Sequence, residues 1–373
     1  MGRKQRIGFV IGVAGVATAL VLAKTSPTAA QQATPTERVH VKIVSFGDSL
    51  SDVGTYAPFA SRLFNGGRFT TNPGTIWTQQ IASYYGDVLR PAFVGGFGHP
   101  LTPEGGFGYA EGGSRVALQP GIGEAAAGTP DEAFALQTAV PIKEQVSTFL
   151  SQHHNFASNQ LVLINGGAND LFFNLGRIEN DPLKLPLALI AIEKAAIQLG
   201  ELVQRIHRAG GQHIVVMDLA DFSKAPLAQK VPVPKVAIQA VILGFNETLK
   251  VVLFAHGLLN KVVLIDAFSF MNQVVAQGQA LGFRTTSGGS ACNAREETGA
   301  ARRLGLHDPS IFSDSLFCSP ATYSEPKADG DYMFADTVHP TTHFSLLLAQ
   351  YVEQQIATSR STRGLGRLLL GLQ

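Results

Sequence analysis

Four short apolar runs restrict this chain more than any other feature: His40–Val44, Gln160–Asn165, His213–Asp218 and Lys261–Asp266. They are rich in β-branched residues, stop on small or polar residues, and are too short to be buried helices, so they read as strands. Between and after them lie stretches with apolar residues at helical spacing: Tyr56–Leu63, Ile76–Tyr85, Pro141–His153, Pro186–Ala209 closed by Gly210-Gly211, Val231–His256, a stretch to about Leu281, and Thr341–Ala357. Strands alternating with helices of this length predict βαβ units and a parallel sheet covered on both faces. In such a sheet, ligands bind beyond the carboxyl ends of the strands. No fixed-period repeat points to a solenoid.

At 373 residues, 45% hydrophobic and 15% charged, the chain can bury a large core. The formal charge of +1 hides an asymmetry, because residues 1–30 hold Arg3, Lys4, Arg6 and Lys24 and no acid. The remainder has 25 basic and 28 acidic residues, a net charge of −3, which argues against a nucleic-acid partner. The basic start, the apolar run Ile7–Ala23 and the small residues to Ala30 have the layout of a signal peptide. Cleavage after Ala30, or after Ala23, gives a secreted or periplasmic protein; an uncleaved N-terminal membrane anchor is the alternative. Residues 31–38 read as a polar linker, 39–358 as a single domain and 359–373 as an Arg-containing tail.

Export makes the two cysteines interpretable. Cys292 and Cys318 lie 26 residues apart in a Gly/Ser/Pro-rich stretch, and in an oxidising compartment a single disulfide is the simplest reading; a free buried pair is the other. Neither has a histidine at ligand spacing, so no metal site is expected. Irregular composition marks two insertions, near residues 117–140 and 284–335, the first an Ala/Gly-rich stretch suited to a lid. The turn-rich segment 64–74 is expected to lie over the site.

The first strand runs into Gly47-Asp48-Ser49-Leu50, a small-residue turn presenting a serine at the carboxyl edge. Serine is a weak nucleophile and needs a base within reach, itself oriented by a third group. Asp336-Thr337-Val338-His339-Pro340 can supply both from one loop just before the last helix. Between them lie the cluster Gly108-Tyr109-Ala110-Glu111-Gly112-Gly113-Ser114-Arg115 and the strand-terminal Gly166-Gly167-Ala168-Asn169-Asp170. His343 completes His-x-x-x-His with His339, but no acid stands at the spacing a zincin needs.

These four blocks, in this order and over nearly all of residues 40–357, resemble the GDSL or SGNH hydrolases, closest to their larger secreted bacterial esterases and lipases. The resemblance implies a three-layer α/β/α sandwich around a mostly parallel, flavodoxin-like sheet. It implies Ser49 as nucleophile, Asp336 and His339 as acid and base, and an oxyanion hole from Ser49, Gly113 and Asn169. This chain has Gly108 where many members have Asn, which leaves Gly112 open as the donor in place of Gly113. Asp48 and Asp52, by position, are expected to fix the turn. The reaction implied is hydrolysis of carboxylic esters through an acyl-enzyme, without a cofactor; an acyltransferase or phospholipase on lipids and an acetyl-polysaccharide esterase are the alternatives.

An α/β-hydrolase would carry Gly-x-Ser-x-Gly in mid-chain, and a nucleotide-binding loop would carry Gly-x-x-x-x-Gly-Lys-Ser/Thr; neither is present. The expected partners are a small-molecule or lipid ester and a transient lipid surface; the sequence does not show whether the tail residues Arg360, Arg363 and Arg367 meet such a surface. Phe93, Phe97, Phe107 and Phe134 are compatible with an acyl pocket or with local packing.

Overall fold

Residues 40–124, 137–303 and 315–359 are described by a computed structural model of the chain. The proposed leader, linker and C-terminal tail lie outside these residues, as do the middle of each insertion and Phe134. Four strands, β1 (Lys42–Phe46), β4 (Gln160–Asn165), β5 (His213–Met217) and β6 (Val263–Ile265), form a parallel sheet in the order β1-β4-β5-β6. Between the first two lies a separate antiparallel hairpin, β2 (Phe93–Gly96) with β3 (His99–Pro103).

The sheet is buried on both faces because side chains alternate across it. Val44, Phe46, Val162, Ile164, Ile214 and Val216 pack against α3 (Ile142–His153), α5 (Leu185–Arg208) and α6 (Lys235–Ala255). Ile43, Leu161, Leu163, Val215 and Ile265 pack on the other side against α2 (Trp77–Tyr84), α7 (Ala267–Ala276) and α10 (Thr342–Thr358). The architecture is therefore a three-layer α/β/α sandwich with a parallel central sheet. The helices α1 (Ala57–Phe64), α4 (Ala168–Asn180), α8 (Ala294–Arg303) and the single turn α9 (Ala328–Asp331) decorate the frame.

On the open edge of β1 the block-two cluster substitutes for a strand. Ser45 N–H donates to Phe107 O and Tyr109 N–H to Ser45 O, at 2.9 and 2.8 Å, and Gly108 in turn bonds residues 90 and 92. A side chain at Gly108 would collide with Val53 and the Arg90 carbonyl, which accounts for glycine at this position.

The second insertion is tied down by the Cys292–Cys318 disulfide. Its sulfurs lie within 4.8 Å of a Glu297 oxygen, yet each is already bonded to the other. The bridged segment bonds to the rest of the domain: the Cys318 carbonyl accepts hydrogen bonds from Asn72, and Ser315 N–H donates to Asp336 Oδ2 at 2.7 Å. On the chain-entropy account, closing such a loop stabilises by about 3 kcal/mol. The double variant Cys292→Ser/Cys318→Ser is expected to lower unfolding stability by about that amount, read as a urea midpoint. An unchanged midpoint would mean the loop is held without its bridge.

Candidate active site

Each block reaches the same end of the sheet by a different route. β1 ends at Phe46, and the chain turns at Gly47 with φ +153°, where a side chain would strike the Asn165 amide. Gln145 of α3 holds that turn from beneath, donating Nε2 to Gly47 O at 2.8 Å and accepting Gly47 N–H on Oε1 at 2.9 Å. Asn165, the last residue of β4, donates to Asp48 Oδ1 at 2.8 Å and accepts from Ser51 Oγ at 2.5 Å. Asp52 receives the N–H groups of Gly54 and Thr55 on one oxygen and that of Gly112 on the other. Asp48 and Asp52 are thus spent on shaping the serine turn, as their positions predict.

Ser49 is 7% exposed, and its Oγ lies 2.8 Å from His339 Nε2, across 290 residues of chain. His339 Nδ1 is 2.6 Å from Asp336 Oδ2. Asp336 is buried and also accepts the N–H groups of Ser315, Val338 and His339. The loop is held by an Ala335 N–H to His339 O bond and by Thr341, whose hydroxyl caps α10. The segment 64–74 packs over it: Phe69 lies 5.1 Å from the His339 ring, and Thr70 Oγ1 donates to Pro340 O.

The titratable groups separate by environment. Burial works against the charge on Asp336, but His339 beside it and its hydrogen bonds outweigh that, and the carboxyl sits below its ordinary value. Asp48, Asp52 and Asp170 are pushed the other way, by burial above all, despite their hydrogen bonds. Only one acid in the cluster is both in contact with a histidine and biased toward its charged form.

The glycine cluster meets the end of β4 through a buried ion pair that the sequence pattern did not single out. Arg115 Nε lies 3.1 Å from Asp170 Oδ1, Asp170 Oδ2 accepts Val116 N–H, and the guanidinium stacks over Phe173. Next to it, Asn169 Nδ2 donates to Ser114 O at 2.9 Å, which spends one amide hydrogen and leaves a second. Gly112 and Gly113 differ in a telling way. The Gly112 N–H is committed to Asp52 Oδ2 at 2.9 Å, whereas among the described residues neither the Gly113 nor the Ser49 N–H has a hydrogen-bond partner. Gly113 takes φ +81° with its outer face against the Ile122 carbonyl, a place only glycine fits.

The first insertion grips this peptide at both of its described ends. Ile122 N–H donates to Gly113 O, Tyr56 hydroxyl donates to Gly112 O and accepts Ala139 N–H, and Glu111 Oε2 receives Thr138 Oγ1 at 2.7 Å and Val140 N–H at 3.1 Å. The stems therefore buttress the glycine pair.

An apolar cavity is lined by the sequence neighbours of the serine and the histidine, Asp48, Leu50, Val338 and Pro340, together with Met217, Leu219 and Phe270. Phe93, Phe97 and Phe107 do not line it. Phe97 belongs to a cluster with Tyr56 and Phe59, and Phe93 and Phe107 pack on the main core. The cavity is assembled from the last residues of strands and the first of helices, positions whose shared destination no local pattern announces.

Burial pushes the Glu111 carboxyl up to about 7, against its bonds from Thr138 and Val140 and with help from the charge of Asp52. A carboxyl whose folded value lies above the unfolded one, about 4.3, costs stability as it ionises. Stability should therefore fall as pH rises from about 4.3 to about 7. Glu111→Gln keeps the acceptor and removes the charge, so the difference in urea midpoint between variant and wild type should grow across that window in the variant's favour. Midpoints that run parallel would remove Glu111 as the titrating group.

The family described as GDSL-like Lipase/Acylhydrolase matches residues 43–352, most of the chain, and the chain belongs to that family. No curated protein matches it.

Proposed function

We propose that this member of the GDSL-like lipase/acylhydrolase family is an exported serine esterase, cleaving carboxylic esters of small to medium acyl chains through an acyl-enzyme on Ser49. The observation that carries the reading is the continuous run Ser49 Oγ, His339 Nε2, His339 Nδ1, Asp336 Oδ2, with contacts of 2.8 and 2.6 Å, beside two uncommitted backbone N–H groups. His339 takes the hydroxyl proton as Ser49 Oγ bonds to the ester carbonyl carbon. The charged Asp336 holds the imidazole in the tautomer that carries its proton on Nδ1 and stabilises the imidazolium that forms. His339 then returns the proton to the leaving alkoxide as the ester C–O bond breaks. Water, deprotonated by the same nitrogen, attacks the acyl-enzyme and regenerates Ser49.

The oxyanion is assigned to the N–H groups of Ser49 and Gly113 and the second amide hydrogen of Asn169. Gly113 is preferred to Gly112 because the latter's N–H already serves Asp52. The apolar cavity that Asp48 and Leu50 border takes the acyl chain, since an apolar wall with few polar groups suits a hydrocarbon better than a sugar. Export is supported by the Cys292–Cys318 bridge, which suits a periplasmic or extracellular compartment.

Removing one oxyanion donor typically costs about 3 kcal/mol of transition-state stabilisation. Asn169→Ala should accordingly lower kcat on a chromogenic short-chain ester by roughly a hundredfold or more while KM changes little. Full activity in that variant would overturn the oxyanion assignment. Ser49→Ala should abolish turnover of the same ester, with chain-length profiling of the wild type peaking at short or medium acyl groups. Retained turnover in Ser49→Ala would overturn the reading. Products assayed with an added alcohol acceptor separate hydrolysis from acyl transfer, and free acid is the expected product.

A further inference from the structure

The helices α5 and α6 carry an apolar outer face that the hydrolytic machinery does not use. Within the eight residues from 183 to 190, Leu183, Leu185, Leu187, Leu189 and Ile190 are all exposed, Leu183 at 90%, Leu187 at 62% and Ile190 at 61%. α6 adds Val236 and Leu243, with Val251 and Phe254 nearer its end. The two faces are continuous, because Leu189 and Ile192 of α5 line one groove with Val241 and Phe245 of α6. Scattered exposed leucines need no explanation, but a contiguous patch of this kind marks an interaction surface.

α6 is long and apolar enough to cross a membrane, by length and composition, and much of it lies exposed. It cannot be a span in this fold, since it connects β5 to β6, which pair side by side in the same sheet. Ile238, Ile242, Phe245, Leu249 and Leu253 anchor it to the core. The apolar residues on its other side are surplus to that packing.

Charge and position indicate what covers the patch. From residue 222 to 246 there are three lysines, Lys224, Lys230 and Lys235, and no acid. Lys224 pairs with Asp221, whereas Lys230 and Lys235 stand exposed at the entry to α6, beside the valines of Val231-Pro232-Val233. This segment is wired to the catalytic loop: Leu227 N–H donates to Thr337 O at 2.9 Å, two residues before His339. Phe222, Leu227 and Val231 line an apolar groove with Phe172 of α4, and Phe222 also lines the apolar cavity that Asp48 and Leu50 border. Of the acids beside the patch, Asp181 pairs with Lys184 and Glu193 lines the groove between the helices, whereas among the described residues Lys230 and Lys235 have no paired acid. An apolar surface with such lysines at its rim fits an anionic lipid–water interface, into which leucines insert while lysines meet headgroups.

We propose that the start of α5 together with residues 230–243 is a docking surface for an anionic lipid interface, seating the Ser49 site against the aggregate that holds its ester. The lipid as a source of substrate rests on the hydrolase reading above, but the docking itself does not. Cosedimentation with vesicles of phosphatidylcholine, alone or mixed with phosphatidylglycerol, tests it on Ser49→Ala protein, so that binding is read without turnover. Ser49→Ala is expected to bind the mixed vesicles in preference to the neutral ones. Adding Leu187→Glu/Ile190→Glu, or Lys230→Glu/Lys235→Glu, should weaken that binding by about tenfold or more. The same charge changes in the active protein should leave turnover of a water-soluble ester within about twofold, since they touch no catalytic group. Equal binding to both vesicle types, or unchanged binding in the variants, would overturn the proposal. So would light scattering that shows a dimer dissolved by the leucine changes without vesicle binding, because a second copy would then cover the face. Vesicle binding without turnover of any soluble ester by the active protein would instead count against the hydrolase reading.

Discussion

The 2.8 Å contact between His339 Nε2 and Ser49 Oγ is the point at which the two ends of this chain must agree, and most of the fold can be understood as the means of holding it. Ser49 is placed by β1, the edge of the four-stranded sheet, and His339 by a loop that leaves the frame only to enter α10. Parallel pairing of β1 with β4 sets the height of the serine turn, because Asn165 at the end of β4 reaches back to Asp48 and Ser51. The packing of α10 against α2 and the sheet sets the height of the histidine. An error in either register would separate His339 Nε2 from Ser49 Oγ by a residue's rise, about 3.3 Å.

Beneath that contact is a layer of buried polar groups bonded to backbone and to one another. Such networks are costly when incomplete and specify a single geometry when complete. Gln145, Asn165, Asp52 and the Arg115–Asp170 pair each tie one block to another: the serine turn to α3, the same turn to β4, the serine turn to the glycine cluster, and that cluster to α4. The acids divide cleanly. Asp336 is biased toward its charge by the histidine it faces, whereas Asp48, Asp52 and Asp170 are strained toward neutrality by burial and are retained as acceptors of N–H groups. The disulfide-bearing excursion contributes the Ser315 N–H to Asp336, so an element that looks peripheral in sequence touches the Ser49–His339–Asp336 run directly.

Much of this was legible in the chain alone, for reasons that can be located. The central strands announce themselves because burial on both faces demands unbroken apolar runs, and the four blocks are local enough to be read as words. What was not legible is assembled over distance. α4 begins inside the Gly-Ala-Asn-Asp motif and carries Gly176 and several asparagines, so its helical pattern is hidden behind turn residues. The β2–β3 hairpin lies in a Gly- and Pro-rich region whose strands are short and irregular in register. α8 is largely charged, without large apolar residues, and its place inside the cysteine loop masks it. Gln145 reads as one polar residue on an amphipathic helix, and only the fold turns its amide toward Gly47. The choice between Gly112 and Gly113 required knowing where Asp52 points.

The outer face of α5 and α6 extends the same logic from chemistry to location, since an ester held in an aggregate must be met at the aggregate's surface. The chemistry remains the central claim, and it reduces to whether Ser49 is the activated nucleophile. Treatment with a fluorophosphonate followed by mass spectrometry of the intact and digested protein tests this most directly. One adduct per chain is predicted, carried by the peptide containing Ser49, and its formation should slow sharply when His339 is replaced by Ala. An adduct mapped to another residue, or labelling of Ser49 at an undiminished rate without His339, would contradict the account.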